Sequence, residues 1–136
     1  MTRILVDTSV WSLAFRKKTR SADEEIIVTY LTEIIRDFQA VLIGPIRQEL
    51  LSGISDSAKY EEPRGKMSLF PDHAIHTEDY ELAAWFNNEC RRNGIQGSHI
   101  DFLICTVAHN NNLAIFTLDS DFSYYRNHIE INVIER

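Results

Sequence analysis

Short apolar runs rich in branched residues recur along the chain and predict buried β-strands. Each of the first three runs is followed directly by polar residues or by a glycine, which mark the end of a strand. The predicted strands are 3–6, 41–43, 113–117 and 130–134. Strands of nearly continuous apolar sequence are typical of a parallel sheet that helices cover on both faces.

Apolar residues at helical spacing fill the intervals between the predicted strands. The segment from Ser21 to Arg36 opens with a Ser-x-x-Glu capping box and continues with apolar residues three and four positions apart. An apolar stripe at i, i+3, i+4 and i+7 predicts another helix from Ser98 to about residue 110. Further helices are predicted at 8–15, 45–51 and 77–92, and a short helical turn is predicted after Asp119.

The expected starts of these helices rest on capping residues. Thr8 or Ser9 is expected to cap the helix that follows the first strand, and Thr77 is expected to cap the helix at 77–92. The segment 57–67 stays open between a weak helix and a loop, because a proline and a glycine interrupt it.

The alternation of strands and helices predicts an α/β fold. We expect a single domain over residues 1–136, with a central parallel sheet of about four or five strands flanked by helices on both faces. A chain of 136 residues supports one hydrophobic core rather than two. Ligands of such sheets gather beyond the carboxyl ends of the strands, so a functional site is expected at that edge.

Composition limits where the chain can act. Hydrophobic residues make up 44% of it and charged residues 25%, which is ordinary for a globular protein. The apolar runs are far shorter than the roughly 20 residues of a membrane span, so no membrane partner is expected. Asp7 interrupts the apolar stretch that a secretory signal requires, which favours a cytoplasmic location. Cys90 and Cys105 form no metal-binding pair and are expected to be reduced core thiols.

The net charge of −6 argues against binding nucleic acid by bulk attraction alone. It does not exclude such a substrate, because enzymes that act through metal ions collect carboxylates in one cleft. Four cations just after the first helix can grip RNA phosphates or form a solvated loop, and they are Arg16, Lys17, Lys18 and Arg20. Five aromatic residues can stack on bases but are more typical of a core or interface, and they are Trp11, Trp85, Phe122, Tyr124 and Tyr125.

Acidic residues supply the candidate chemistry. Asp7 and Asp119 follow predicted strands, Glu49 and Asp101 lie on predicted helices, and Asp121 lies beside Asp119. Carboxylates gathered without cationic partners repel one another and need hard cations, for which oxygen ligands favour Mg²⁺ or Mn²⁺. Two such ions about 4 Å apart can activate a water molecule against a phosphodiester.

Each acid also has a purely structural interpretation. Asp101 stands where a capping-box acid would stand, and Asp119 or Asp121 can cap the short helix that follows. Glu49 can be a solvated residue on a helix face, and Asp7 can be the N-cap of the first helix. Spacing and composition leave these alternatives open.

Four segments in order along the chain resemble the motifs of a known family. They are ILVDTSVW at 4–11, GPIRQELLSG at 44–53, GSHIDFLICTVA at 97–108 and FTLDSDF at 116–122. These segments are similar to the four motifs of PIN-domain ribonucleases, and most similar to those of VapC toxins from bacterial and archaeal VapBC toxin–antitoxin pairs. The resemblance spans the chain from Ile4 to Phe122, whereas the segment 55–72 matches no motif and leaves the choice of substrate open.

The resemblance implies a set of site residues. Asp7, Glu49, Asp101 and Asp119 would be catalytic and would hold Mg²⁺ or Mn²⁺, with Asp121 as an additional acid in the metal site. Hydroxyl groups that support these acids by hydrogen bonds would come from Thr8 or Ser9 and from Thr117.

The resemblance also implies a function and its partners. The chain would be a metal-dependent endoribonuclease, the toxin of a type II toxin–antitoxin system, that hydrolyses RNA by a metal-activated water. Its partners would be the RNA substrate, a VapB-type antitoxin and a second copy of the chain. The alternatives are an RNA-processing nuclease of the same fold outside such a pair, a non-catalytic binding module, and a phosphohydrolase that uses Asp7 as its nucleophile.

Overall fold

Strands and helices alternate along the chain in the predicted order. The computed structural model describes residues 2–135. Its elements are β1 (Ile4–Val6), α1 (Thr8–Arg16), α2 (Ala22–Arg36), β2 (Ala40–Val41), α3 (Gly44–Ser52), α4 (Ser57–Met67), α5 (Thr77–Arg92), α6 (His99–Asn110), β3 (Ala114–Phe116), α7 (Asp121–Tyr125) and β4 (Asn132–Val133).

The strands form one parallel sheet in the order β2-β1-β3-β4. Leu5 of β1 pairs with Val41 on one side and with Ile115 on the other, and Ile115 pairs in turn with Val133. Within residues 2–135 the sheet therefore has four strands, and helices flank it as the sequence predicts. The α/β fold and its parallel sheet are confirmed.

The order of the strands creates a switch point beside β1. The chain moves from β1 to β2 in one direction and then returns past β1 to reach β3. Because crossovers between parallel strands are right-handed, the connection from β1 to β2 and the connection from β2 to β3 run over opposite faces of the sheet. The carboxyl ends of β1 and β3 are the point at which ligands of such sheets bind.

Two helix starts differ from the prediction. Asp7, rather than Thr8 or Ser9, is the N-cap residue of α1, as its structural interpretation allowed, and the Ser9 hydroxyl donates to the Asp7 carboxylate. His76, rather than Thr77, is the N-cap residue of α5. The predicted capping box at the start of α2 is present in full.

The ambiguous segment 57–67 is a helix, α4. The carboxylate of Asp56 accepts a hydrogen bond from the Ala58 N–H at its start, and Met67 is buried at its end. The guanidinium of Arg47 on α3 donates to the Met67 carbonyl at 2.8 Å and forms an ion pair with Asp72. These contacts fix α4 and the loop after it against α3.

Large apolar side chains from the sheet and both helical layers form one core. Cys90 and Cys105 lie within it as free thiols, as expected, and burial raises the pKa of both. In the part of the chain that the structure describes, every helix is too short or too polar to cross a lipid bilayer.

The difference in burial between two isoleucines predicts different losses of stability when each is replaced by alanine. Ile115 on β3 is fully buried, whereas Ile26 on α2 is 66% exposed. Ile115→Ala is expected to lower the free energy of unfolding by about 2–5 kcal/mol because it leaves a cavity. The matched change Ile26→Ala is expected to alter it by less than about 0.5 kcal/mol. Urea denaturation measures both, and equal losses would contradict this description of the core.

Candidate metal centre

Four of the predicted site acids lie at the carboxyl edge of the sheet or on helices that begin there. Asp7 directly follows β1, and Asp119 lies three residues after the end of β3. Asp101 is in the first turn of α6, and Asp121 is the first residue of α7. The switch point thus collects residues that are more than 100 positions apart in the sequence.

Three of these acids form a compact cluster. One carboxylate oxygen from each of Asp101, Asp119 and Asp121 lies within 4.8 Å of the other two. Asp101 is half-buried, and the other two are exposed. The Asp119 carboxylate accepts a hydrogen bond from the Asp121 N–H at 2.9 Å, which ties these two residues together. We refer to these residues as the three-acid cluster.

Asp7 is buried beside this cluster and is held by two hydroxyl groups. It is 6% exposed, and its Oδ2 atom accepts hydrogen bonds from Ser9 Oγ and Thr117 Oγ1, both at 2.8 Å. Both hydroxyls also accept: Ser9 Oγ from the Leu118 N–H and Thr117 Oγ1 from the Asp119 N–H, each at 3.0 Å. The two hydroxyls therefore join the end of β1 to the loop after β3.

Thr8 does not take part in this network. Its Oγ1 atom is buried and has no hydrogen-bond partner in the described part of the chain. Of the two hydroxyl positions that the sequence left open, Ser9 makes the contact with Asp7.

Asp101 is held by a residue that the sequence analysis did not assign to the site. The buried hydroxyl of Tyr125 donates to Asp101 Oδ2 at 2.6 Å. Ser98 Oγ accepts from the Asp101 N–H as the predicted cap, but the Asp101 carboxylate turns to Tyr125. No local pattern signals this contact, because the two residues are 24 positions apart on different helices.

The pKa values at Asp101 reflect its surroundings. Burial raises the pKa of the Asp101 carboxyl, the hydrogen bonds of Tyr125 and Ser98 lower it, and the charges of Asp7 and Asp119 raise it again, with a net rise. Burial and the contact with Asp101 raise the pKa of the Tyr125 hydroxyl, so Tyr125 is a protonated donor at neutral pH.

Glu49 is not a member of the three-acid cluster. It is exposed on α3, and within residues 2–135 no hydrogen bond or ion pair joins it to the three-acid cluster or to Asp7. Its role as a ligand stays a prediction.

The four predicted RNA-binding cations are largely engaged within the protein. Lys17 forms an ion pair with Glu24 at 2.8 Å, and Arg20 forms one with Glu25 at 3.0 Å. The Arg16 guanidinium donates to a backbone carbonyl near the end of α3. Lys18 is exposed. The contact of these residues with RNA stays a prediction.

The donor set fits a hard divalent cation. All candidate ligand atoms are carboxylate oxygens, and the 4.8 Å that limits their separation is about twice a metal–oxygen distance. Among the described residues, no lysine, arginine or histidine forms an ion pair with Asp7 or with the three-acid cluster. A group of acids without a cationic partner is the arrangement that oxygen-seeking ions such as Mg²⁺ and Mn²⁺ stabilise.

Comparison with known proteins gives a family match and similar folds. The PIN domain family matches residues 4–127 of the chain, whereas no curated protein matches its sequence. FitAcB from Neisseria gonorrhoeae is similar with a TM-score of 0.77 and 20% identity, over 97% of this chain and 96% of that chain. VapBC2 from Rickettsia felis, bound to a DNA fragment from their promoter, has a TM-score of 0.73 and 15% identity over 98% of both chains. DNA-bound VapBC from Salmonella typhimurium has a TM-score of 0.71 and 14% identity, also over 98% of both.

The hydroxyl network predicts different effects for two buried threonines. Thr117→Val removes the donor to Asp7 and the acceptor of the Asp119 N–H, and is expected to lower the free energy of unfolding by about 1–3 kcal/mol. Thr106→Val is the matched control, because the Thr106 hydroxyl is buried without a partner in the described residues and its loss is expected to be neutral or stabilising. Chemical denaturation in EDTA compares them, and equal effects would count against the network.

The three-acid cluster predicts that Mn²⁺ stabilises the fold. At 100 times its dissociation constant, Mn²⁺ is expected to raise the free energy of unfolding by about 2.7 kcal/mol. Asp121→Asn is expected to weaken binding roughly tenfold, about 1.4 kcal/mol, without loss of stability in EDTA, because it removes one of three neighbouring charges. Asp37→Asn, at an exposed acid that follows α2, is the control. An undiminished Mn²⁺ effect in Asp121→Asn would exclude Asp121 as a ligand.

Proposed function

Because this chain belongs to the PIN domain family, we propose that it is a metal-dependent endoribonuclease that acts as the toxin of a type II toxin–antitoxin pair. We further propose that residues 1–136 form one nuclease domain, which acts in the cytoplasm, where its RNA substrate is found. The observation that carries the proposal is the group of acids beside the switch point of the sheet, which has no cationic partner among the described residues.

A bound Mg²⁺ or Mn²⁺ ion would lower the pKa of a water molecule and stabilise the charge that develops on the phosphodiester oxygens during in-line attack. Asp7, Asp101 and Asp119 are the proposed catalytic ligands, and Asp121 completes the cluster that holds the ion. Glu49 is proposed as a further ligand from its place in the second motif.

The remaining site residues hold these acids in place. Ser9 and Thr117 fix the buried Asp7 carboxylate through one of its oxygens. This leaves Asp7 Oδ1 without a hydrogen-bond donor among the described residues, so it is available as a ligand atom. An acid fixed before the ion arrives loses less conformational freedom on binding, which favours affinity.

RNA phosphates require positive charge beyond the metal centre. Lys17, Lys18 and Arg20 are proposed to supply it from the segment between α1 and α2, together with Arg16. Since Lys17 and Arg20 already form ion pairs with α2, RNA binding by these two residues would exchange one partner for another. Lys18 is exposed and forms no ion pair with the described residues, so it can bind a phosphate without losing a partner.

The proposed protein partners are a VapB-type antitoxin and a second copy of this chain. Support comes from the similar folds, since FitAcB and the two VapBC structures give the same architecture over at least 96% of either chain. An antitoxin that covers the acids would keep RNA from the site. The alternatives are the same nuclease without an antitoxin and a binding module without activity.

Cleavage of total cellular RNA by the purified chain tests the proposed activity. Discrete fragments are expected in Mg²⁺ or Mn²⁺ and none in EDTA. Asp7→Asn and Asp101→Asn are each expected to reduce the rate by more than about 100-fold, because changes beyond the ligands themselves already cost 10–100-fold at metal sites. Asp37→Asn is the matched control and is expected to cut as the parent does.

The readouts distinguish an active nuclease from a binding module. Circular dichroism verifies that each variant folds, and mapping the fragment ends identifies the cut site. A folded parent chain that binds Mn²⁺ and RNA without cleaving it would favour the binding module. Unchanged cleavage by both aspartate variants would show that the catalytic assignment is wrong.

A further inference from the structure

Tyr125 is fully buried at the end of α7, yet its hydroxyl reaches the edge of the acidic site. The ring packs against Phe102 of α6 and Phe122 of α7, with ring centres 5.1 Å and 5.2 Å away. These contacts leave the ring little freedom to rotate away. The packing of the ring in the core therefore fixes the position of the hydroxyl.

The contact between Tyr125 and Asp101 is short. The 2.6 Å between the hydroxyl oxygen and Asp101 Oδ2 is the length of a hydrogen bond from a hydroxyl to a carboxylate, the stronger class of such bonds. The Tyr125 hydroxyl fits against the backbone at residue 97 only because that residue is glycine. A Cβ atom at Gly97 would lie 2.6 Å from the Tyr125 hydroxyl oxygen.

A neutral donor has an advantage at this position. A lysine or arginine would also orient Asp101, but its charge would offset the negative charge that attracts a cation. Tyrosine orients the carboxylate and leaves the charge of the three-acid cluster intact. Helix α7 therefore places two residues at the three-acid cluster. Its first residue, Asp121, is a member of the cluster, and its last residue, Tyr125, holds Asp101, which is another member.

We propose that Tyr125 is a positioning residue of the metal centre, whose buried hydroxyl holds the Asp101 carboxylate in the orientation that a divalent ion needs. This inference rests on the proposed function, since it takes Asp101 to be a metal ligand. Tyr125 itself contacts neither the ion nor the RNA in this scheme.

Tyr125→Phe tests the proposal because it keeps the ring and removes only the hydroxyl. The Mn²⁺ dissociation constant, measured by calorimetry on the metal-free chain, is expected to rise about 10–100-fold, the usual effect of losing a partner of a metal ligand. The Mn²⁺ concentration for half-maximal RNA cleavage is expected to rise by the same factor, with the rate recovering at saturating Mn²⁺. Tyr124→Phe, at the exposed neighbouring tyrosine, is the matched control and is expected to keep the affinity of the parent.

A second variant keeps the proposal testable if Tyr125→Phe does not fold. Gly97→Ala keeps Tyr125 but crowds its hydroxyl and the Phe102 ring, and is expected to weaken Mn²⁺ binding in the same direction. If Tyr125→Phe does not fold, Gly97→Ala decides the question. A folded variant that loses thermal stability in EDTA but binds Mn²⁺ within about threefold of the parent would mark the hydroxyl as structural only and overturn the proposal. If the parent chain itself binds no Mn²⁺, the proposed function fails first and this inference with it.

Discussion

Repulsion between carboxylates at one edge of the sheet is the constraint around which the site is built. Two ionised acids about 4 Å apart repel by about 4 kcal/mol at the effective dielectric constant of a protein surface. A hydrogen bond to a charged group returns about 1.5–3 kcal/mol. The donors from Ser9, Thr117 and Tyr125 therefore offset part of the repulsion and hold the acids in fixed orientations. Since all three donors are neutral, the site keeps the negative charge that a divalent cation would balance.

The strand order explains why these acids meet. Asp7 and Asp119 follow the two central strands, and α6 and α7 add Asp101 and Asp121 beside them. The buried strands provide the rigid platform, because Leu5, Val6, Ile115 and Phe116 are inaccessible to solvent. The same architecture is found at 20% identity or less in the FitAcB and VapBC structures, which shows that the fold requires a pattern of apolar positions rather than particular residues.

Cationic and acidic side chains differ in how far they are paired within the protein. Two of the cations after α1, Lys17 and Arg20, are paired with acids at the start of α2, where negative charge also favours the helix. Arg47 is likewise occupied, since it ties α3 to the end of α4. Most positive charge near these helices thus serves the fold, while the carboxylates of the switch point remain without cationic partners among the described residues. This division is consistent with a site that recruits its cation from solution.

The sequence by itself determined the elements of the fold and named the candidate acids of the site. Apolar periodicity placed the strands and main helices, because that signal lies within a few consecutive residues. The motifs singled out Asp7, Glu49, Asp101, Asp119 and Asp121, and the structure brings three of them, Asp101, Asp119 and Asp121, into one cluster. The sequence did not settle α4, the two shifted helix caps or the choice of Ser9 over Thr8, since each depends on a contact that competes with the local pattern. Only the tertiary structure brought Tyr125 to Asp101, and only it showed that Thr117, a supporting hydroxyl implied by the resemblance, holds Asp7 in particular. These pairs are 24 and 110 positions apart and meet through the packing of separate elements.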